Sequence, residues 1–447
     1  MDESVLSKLF FHFSSAVNVV KGHDDVHIFS HHDADGISAA IILAKTMMRA
    51  GKRFRVTLLP ALNDETIETV MNCGAGCMIM ADMGVSYIDA LEKADADVVV
   101  LDHHKGDPAA KRVRYINPHS FGMDGMTAGC GASLSMMFSV QYDKGNWDLV
   151  QVAFAGIVGD KQHQKGLSGI NEYLFREGSK RGYISETGGG LIPPGPLMSS
   201  LFISSDPYIR GVSGNADGVT GLLGDAGMDV TFSSSDMSDA ARRKLSSLIA
   251  AKLLAQGVTM ETLEGAASVR YMLKDWNIDA ERFASMLDSC GRTGAGGVGI
   301  GLGLGDRKCW SEATALDEET RKKILDAAIM LDSDKLKKMR NIQFFGRDES
   351  GFTGMLCEIA MRYIGDPDKP TIGYNTSDDK IKASARCSHR LLSKGVDLSA
   401  AMNSAGKAAG GGGGGHRIAA GAWFPAGNEN VFLDEVDRII GEQVSAR

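Results

Sequence analysis

The stretch Ser30-His31-His32-Asp33-Ala34-Asp35-Gly36 stands between an apolar run, Val26-His27-Ile28-Phe29, and a helical apolar pattern over residues 37–48. A strand that passes within a few residues into a helix is the opening of an α/β unit. Side chains alternate faces along a strand, so His31, Asp33 and Asp35, spaced by two, can converge beyond the C-terminal edge of the sheet, where α/β folds bind ligands. A turn that only caps the next helix needs one aspartate. Three metal-type ligands in five residues point instead to metal-dependent chemistry.

Outward from this turn the pattern repeats. Residues 54–59 stop at Pro60, 77–81 at Asp82 and 97–101 at Asp102, each a short apolar run of the kind found in buried parallel strands. Tyr115-Ile116 closes a further strand before Asn117-Pro118, and a helix beginning near Trp147 ends at Gly159-Asp160. Acids and histidines therefore collect where elements end: Asp82, Asp102-His103-His104 and Asp160. A carboxylate can bridge two divalent ions about 3.5–4 Å apart, and a mixed imidazole and carboxylate set suits Mn2+ better than Mg2+. Asp-x-Asp-Gly after a strand also opens haloacid-dehalogenase-type phosphatases, in which the first aspartate is the nucleophile. Residues 30–36 alone leave both chemistries open, and the later acids favour two metals.

Composition sets the wider frame. With 447 residues, 43% hydrophobic and 23% charged, the chain reads as globular, and its length allows roughly two to four domains. Its apolar runs fall short of the ~18 residues that cross a bilayer, so no membrane partner is expected. Met1-Asp2-Glu3-Ser4 lacks the pattern of a signal peptide, and the chain is read as cytoplasmic. Forty-eight basic against 56 acidic residues give −8, which argues against coating nucleic acid with the whole surface but leaves room for a local basic groove. Of seven cysteines only Cys73 and Cys77 lie close, a single C-x3-C, and reduced thiols are expected rather than a zinc site.

The predicted fold class is α/β with three segments. Residues 1–180 form an N-terminal parallel-sheet domain, 181–340 a mainly helical intervening region with an amphipathic helix over 239–256, and 341–447 a smaller C-terminal α/β domain. Gly294-Ala295-Gly296-Gly297-Val298-Gly299 spells G-x-G-x-x-G, but it follows a helical pattern and is read as leading into a glycine-rich strand, the reverse of a dinucleotide-binding order. Aromatic content is 7%, so no long base-stacking platform is expected, and Trp147, Met136, Met137, Phe344, Phe345 and Tyr374 are read as core.

In order along the chain, His31-x-Asp33-x-Asp35-Gly36, Asp82, Asp102-His103-His104 and Gly159-Asp160 resemble the motifs of DHH-superfamily phosphoesterases, most closely the archaeal RecJ-like nucleases. The resemblance implies a DHH domain holding one metal on His31, Asp33 and Asp82 and another on Asp35, Asp82, His103 and Asp160, with Asp82 bridging. It further implies that His104 meets the scissile phosphate and that Asp102 orients a histidine. Ser384-Ala385-Arg386-Cys387-Ser388, and the glycines 411–415 with His416 and Arg417-Ile418-Ala419-Ala420-Gly421, resemble the paired motifs of the DHH-associated C-terminal domain. Arg386, Ser388, Gly414, Gly415 and His416 are thus candidate substrate-binding residues, since backbone without side chains can approach a phosphate and present N–H donors. Ser285 to Arg292 resembles a segment that RecJ-like proteins carry between their domains, with Asp288 and Ser289 departing from the usual Asn and Ala. Arg292 is the candidate phosphate contact there.

Residues 381–420 carry Lys382, Arg386, Arg390, Lys394, Lys407 and Arg417 against Asp397, six minus one, a local +5 that marks the expected nucleic-acid face. The function expected is a two-metal phosphodiesterase, a single-strand-specific exonuclease on DNA or RNA in replication or repair, working in a cleft between the two α/β domains. Two divalent ions are implied, Mn2+ first with Mg2+ or Co2+ as alternatives. Two other readings stay open: a phosphodiesterase of short oligoribonucleotides or cyclic dinucleotides, and an inactive RecJ-related replication scaffold. Expected partners are single-stranded nucleic acid and, from the archaeal resemblance, a replication complex such as GINS.

Overall fold

The computed structural model describes residues 3–106, 109–334, 336–347, 351–376 and 379–445. Contacts divide the chain into two compact units, Met1–Gly189 with Ser268–Glu318, and Gly190–Ala267 with Glu319–Arg447. The division does not follow three consecutive segments, because a stretch of the mainly helical middle region returns to the first unit.

In the first unit, strands β1 (Asp25–His31), β2 (Arg53–Leu59), β3 (Cys77–Ala81), β4 (Asp97–Leu101) and β5 (Arg114–Ile116) form one parallel sheet of order β2-β1-β3-β4-β5. Their C-terminal ends are level: His31 pairs with Leu59, Ser30 with Ala81, Ala81 with Leu101, and Leu101 with Ile116. Both faces are covered, which explains the uninterrupted apolar strands. Ile28, Ile79 and Val99 face one buried cluster; Phe29, Met80 and Val100 face another. After β2 the chain crosses to the other side of β1 to lay down β3, so a topological switch point lies between β1 and β3. The residues that follow these two strands are the histidine–aspartate turn and Asp82.

The helix Ala34–Arg49 packs on this sheet and is buried along most of its length, with Gly131–Tyr142 and Val150–Gly159 beside it. Trp147, Met136 and Met137 are core. A small antiparallel sheet joins β6 (Ile184–Thr187) to β7 (Arg270–Leu273) and β8 (Ile278–Asp279), and β8 leads into the helix Ala280–Arg292, capped by Asp279. One expectation is corrected here. The glycine-rich segment after Arg292 is the helix Gly296–Leu304, not a strand. Glycine is a poor helix former, but a Cβ at Gly303 would stand 2.5 Å from the Ile41 side chain. The glycines let this helix approach Ala34–Arg49 closely, and that packing overrides propensity.

The second unit begins with helices, among them Asp239–Ala255, capped by Ser238. It continues into a six-stranded sheet built from β9 (Lys337–Lys338), β10 (Gln343–Arg347), β11 (Thr371–Asn375), β12 (Lys380–Arg386), β13 (Gly412–Gly415) and β14 (Ala419–Pro425), in the order β13-β14-β12-β11-β10-β9. The glycine run is therefore an edge strand rather than a linker. Part of it is demanded by packing, since a Cβ at Gly411 would meet the Trp423 carbonyl at 1.8 Å and one at Gly413 the Met402 carbonyl at 2.5 Å. No helix among the described residues is long and apolar enough to cross a membrane.

Candidate metal centre

Three strand ends of the first sheet and one helix end supply the site. His31 closes β1, and its Nε2 lies 3.1 Å from the Pro60 carbonyl. That bond leaves Nδ1 facing Asp33 at 2.9 Å and Asp82 at 3.7 Å. Asp33 caps the helix Ala34–Arg49 by accepting from the Gly36 N–H at 3.0 Å, so it performs the capping job and faces the cluster as well. Asp35 is buried, and its two oxygens accept the Gly131 and Ala132 N–H groups at 2.7 and 2.9 Å. Those donors are the N-terminus of the helix Gly131–Tyr142, which favours a carboxylate.

Asp82 follows β3 with φ 57°, a backbone region that aspartate tolerates better than most side chains. It is 3% exposed. His103, after β4, places Nδ1 2.7 Å from the Gly125 carbonyl and Nε2 3.2 Å from Asp82 Oδ1. With Nδ1 directed at the Gly125 carbonyl, Nε2 is the ring nitrogen left facing the Asp82 carboxylate. Asp160 ends the helix Val150–Gly159; its Oδ2 accepts from Gln162 at 2.7 Å and stands 3.9 Å from His103 Nδ1. Ligand-type atoms within 4.8 Å of one another form three groups, His31 with Asp33 and Asp82, Asp35 with His103 and Asp160, and Asp82 with His103 and His104.

Crowding moves the charges. Burial, then the Asp35 and Asp33 carboxylates, push Asp82 up to about 8, and burial chiefly raises Asp160 to about 6. Burial alone would lower His31, but Asp33 and Asp82 raise it to about 10. His103 likewise rises against burial because Asp160 and Asp82 face it. Four buried or half-buried carboxylates with two imidazoles stand in little space, and that donor set fits metal cations.

Asp102 lies outside the three groups. It is fully buried, accepts from the Val85 and His104 backbone N–H groups, and sits 2.7 Å from His104 Nδ1. Burial would raise its carboxyl, but His104 holds it well below the usual range, and His104 is raised in turn. Asp102 therefore orients His104, whose ring stays 39% exposed beside the cluster.

Sequence reasoning missed three supports. A Cβ at Gly131 would lie 2.5 Å from Asp82 Cβ, and one at Gly156 2.8 Å from Asp35 Oδ1. The buried Gln162 ties Asp160, the Gly125 carbonyl, the Gly129 N–H and Asn171 together. The Gly129-Cys130-Gly131 spacing ahead of an apolar run was the available signal. Arg292 also belongs to this unit. Its Nε donates to Asp288 at 2.6 Å, and its charge helps lower Asp33, which places it near the His31 turn. A Cβ at Gly291 would meet the His32 carbonyl at 1.6 Å, so the helix Ala280–Arg292 presses directly on that turn.

The remaining candidates gather at one end of the second unit's sheet. Arg386 pairs with Ala419, Gly415 with Ala420 and Gly414 with Gly421, and the His416 N–H donates to the Ala419 carbonyl. Ser388 instead caps the helix His389–Ser393, accepting from the Leu391 N–H at 3.3 Å.

A parallel sheet with acids and histidines at its switch point, followed by a mixed sheet with a glycine edge, is a phosphoesterase architecture. The family model described as DHH family, N-terminal domain, matches residues 25–158, and the DHHA1 domain matches 316–442. The chain belongs to the DHH family. An uncharacterized protein of Methanocaldococcus jannaschii is 31% identical over 428 residues, 94% of each chain. Among solved structures, CDC45 from Entamoeba histolytica shares the fold with a TM-score of 0.66 and 13% identity over 97% of this chain and 99% of that one. RecJ from Thermus thermophilus in complex with Mn2+ does so with 0.61 and 15% identity; 97% of this chain matches 55% of that RecJ.

Proposed function

We propose that this protein is a two-metal phosphodiesterase that degrades single-stranded DNA or RNA from an end. The observation that carries the reading is the convergence of six ligand-type residues: His31, Asp33 and Asp82 bring ligand atoms within 4.8 Å of one another, Asp35, His103 and Asp160 do the same, and Asp82 and His103 meet in a third such group with His104. His31, Asp33 and Asp82 hold one ion in this reading, and Asp35, Asp82, His103 and Asp160 the other. Mn2+ ions there would supply Lewis-acid polarisation of the phosphodiester and make water a nucleophile at neutral pH. The chain's own groups do the rest. Gly125 and Pro60 fix the ring orientations of His103 and His31, and the helix N-terminus at Gly131 fixes Asp35. Asp102 raises and orients His104, so that it donates to a phosphate oxygen or to the departing one. Arg292, Arg386 and His416 are the proposed phosphate contacts away from the bond that breaks.

A scaffold without activity is the second reading, and one experiment separates the two. Purified protein is incubated with single-stranded DNA and RNA labelled at either end, with Mn2+, Mg2+ or EDTA. Shortening from one end that needs metal and is at least as fast with Mn2+ supports the proposal. Shortening that persists in EDTA, or none with any metal, overturns it.

A further inference from the structure

On one face of the second sheet the helix Thr353–Ile359 covers β11 and the Ser384–Arg386 end of β12, and beside it β14 and β13 carry a surface whose composition packing does not account for. Directly paired residues share a face, so Lys382, Trp423 and Gly412 stand side by side, as do Ser384, Gly421 and Gly414. Lys380 and Arg386 extend the row, and no position of β12, β13 or β14 on that face is acidic. Trp423 is 43% exposed, and the Lys380 ammonium lies 3.9 Å over its ring. Gly414 and Gly421 are the telling residues. Neither has a positive φ, a Cβ on Gly414 would meet nothing within 4 Å, and one on Gly421 would meet only a carbonyl at 3.4 Å. Neither backbone conformation nor packing requires a glycine there, so the pair keeps the floor flat for something that lies on it.

We propose that this face is a track for single-stranded nucleic acid, with a nucleobase stacked on Trp423, Gly421 and Gly414 as its floor, and Lys380 and Lys382 on the phosphates. The proposal rests on the function proposed above and adds a base-reading contact to it. From Ala419, opposite Arg386, to Trp423 the strand rises about 13 Å at ~3.3 Å per residue, room for about two extended nucleotides. A cation over an exposed ring is held weakly, so an arriving base displaces the Lys380 ammonium, which then meets the adjoining phosphate. Stacking tolerates any base, which suits an enzyme that must traverse arbitrary sequence.

The test is binding of labelled oligothymidylate to the full chain in EDTA, where nothing is cut, with the Mn2+ cleavage assay run beside it. Trp423→Ala should weaken binding about ten-fold or more, Trp423→Phe much less, and neither should change the salt slope. Gly421→Val adds a β-branched side chain to open space on a strand, so its melting temperature should hold while affinity falls about ten-fold. An oligonucleotide carrying an abasic site should lose affinity for the wild type and nothing further for Trp423→Ala. Wild-type affinity in both Trp423→Ala and Gly421→Val, with cleavage intact, overturns the track and leaves the nuclease standing. Abasic strands that bind as well as intact ones reduce the face to charge alone and overturn the stacking. No binding and no cleavage by the wild type brings down both.

Discussion

An aspartate at φ 57°, buried beside other acids, is strain kept at a point where several carboxylates converge. Its protonation follows. In the metal-free fold Asp82 keeps its proton to about pH 8 and Asp160 to about 6, whereas unfolded aspartates release theirs near 4. The folded state then binds more protons, so stability falls as pH rises from about 4 to about 8. His31, raised to about 10, adds stability that is whole below its unfolded value of about 6.5 and fades as pH climbs through 10. Melting temperatures of metal-free protein should therefore decline across pH 5–9, and Mn2+ affinity should rise over the same range, since binding must expel these protons. Asp82→Asn tolerates the same backbone without the charge. Its turnover should vanish while its metal-free stability exceeds the wild type by a margin that grows from about pH 4 to about pH 8, which thermal melts at several pH values will read. Asp102→Asn acts through His104 instead. Metal content should stay at wild-type level, turnover should drop about 10²- to 10⁴-fold, and the basic limb of the pH–rate profile should move to lower pH as His104 loses the neighbour that raises it.

Elements are positioned here by what they lack. The helix Gly131–Tyr142 can offer its first N–H groups to Asp35 only because no side chain stands between Gly131 and Asp82. Gly131→Ala should cost about 1–3 kcal/mol of stability by overpacking and lower metal content together with activity, measurable by denaturant melts and elemental analysis. Strands and acids were legible because short apolar runs that end in an aspartate leave marks in a single segment, whereas the strand order that makes the switch point does not. The helix Gly296–Leu304 was not, because glycines that permit helix contact look the same in sequence as glycines that break a helix. Gln162 was invisible for a related reason: a buried amide among glycines carries no periodic signal until its four partners are in place. Ser388 sits at a helix start, where its hydroxyl also accepts from the backbone, a use that the sequence reading did not name.

At the scale of the whole molecule, the first unit is assembled from two pieces of chain separated by Gly190–Ala267. Metal binding should reveal the grouping. With Mn2+, hydrogen exchange should slow in the first unit, including the helix Ala280–Arg292, and stay unchanged in the helix Asp239–Ala255, although the latter is nearer in sequence to Asp160. Exchange mass spectrometry with and without Mn2+ reads this directly. The same interruption has a temporal side. On the ribosome the parallel sheet is complete by Ile116, but Gly291, which presses on the turn carrying His31, is added 175 residues later (291 − 116). At 5–20 residues per second that is a wait of roughly 9 to 35 s. For that interval the finished sheet stands with the His31 turn lacking the helix that packs against it, so the last piece of the site's support arrives only when translation is well into its second half.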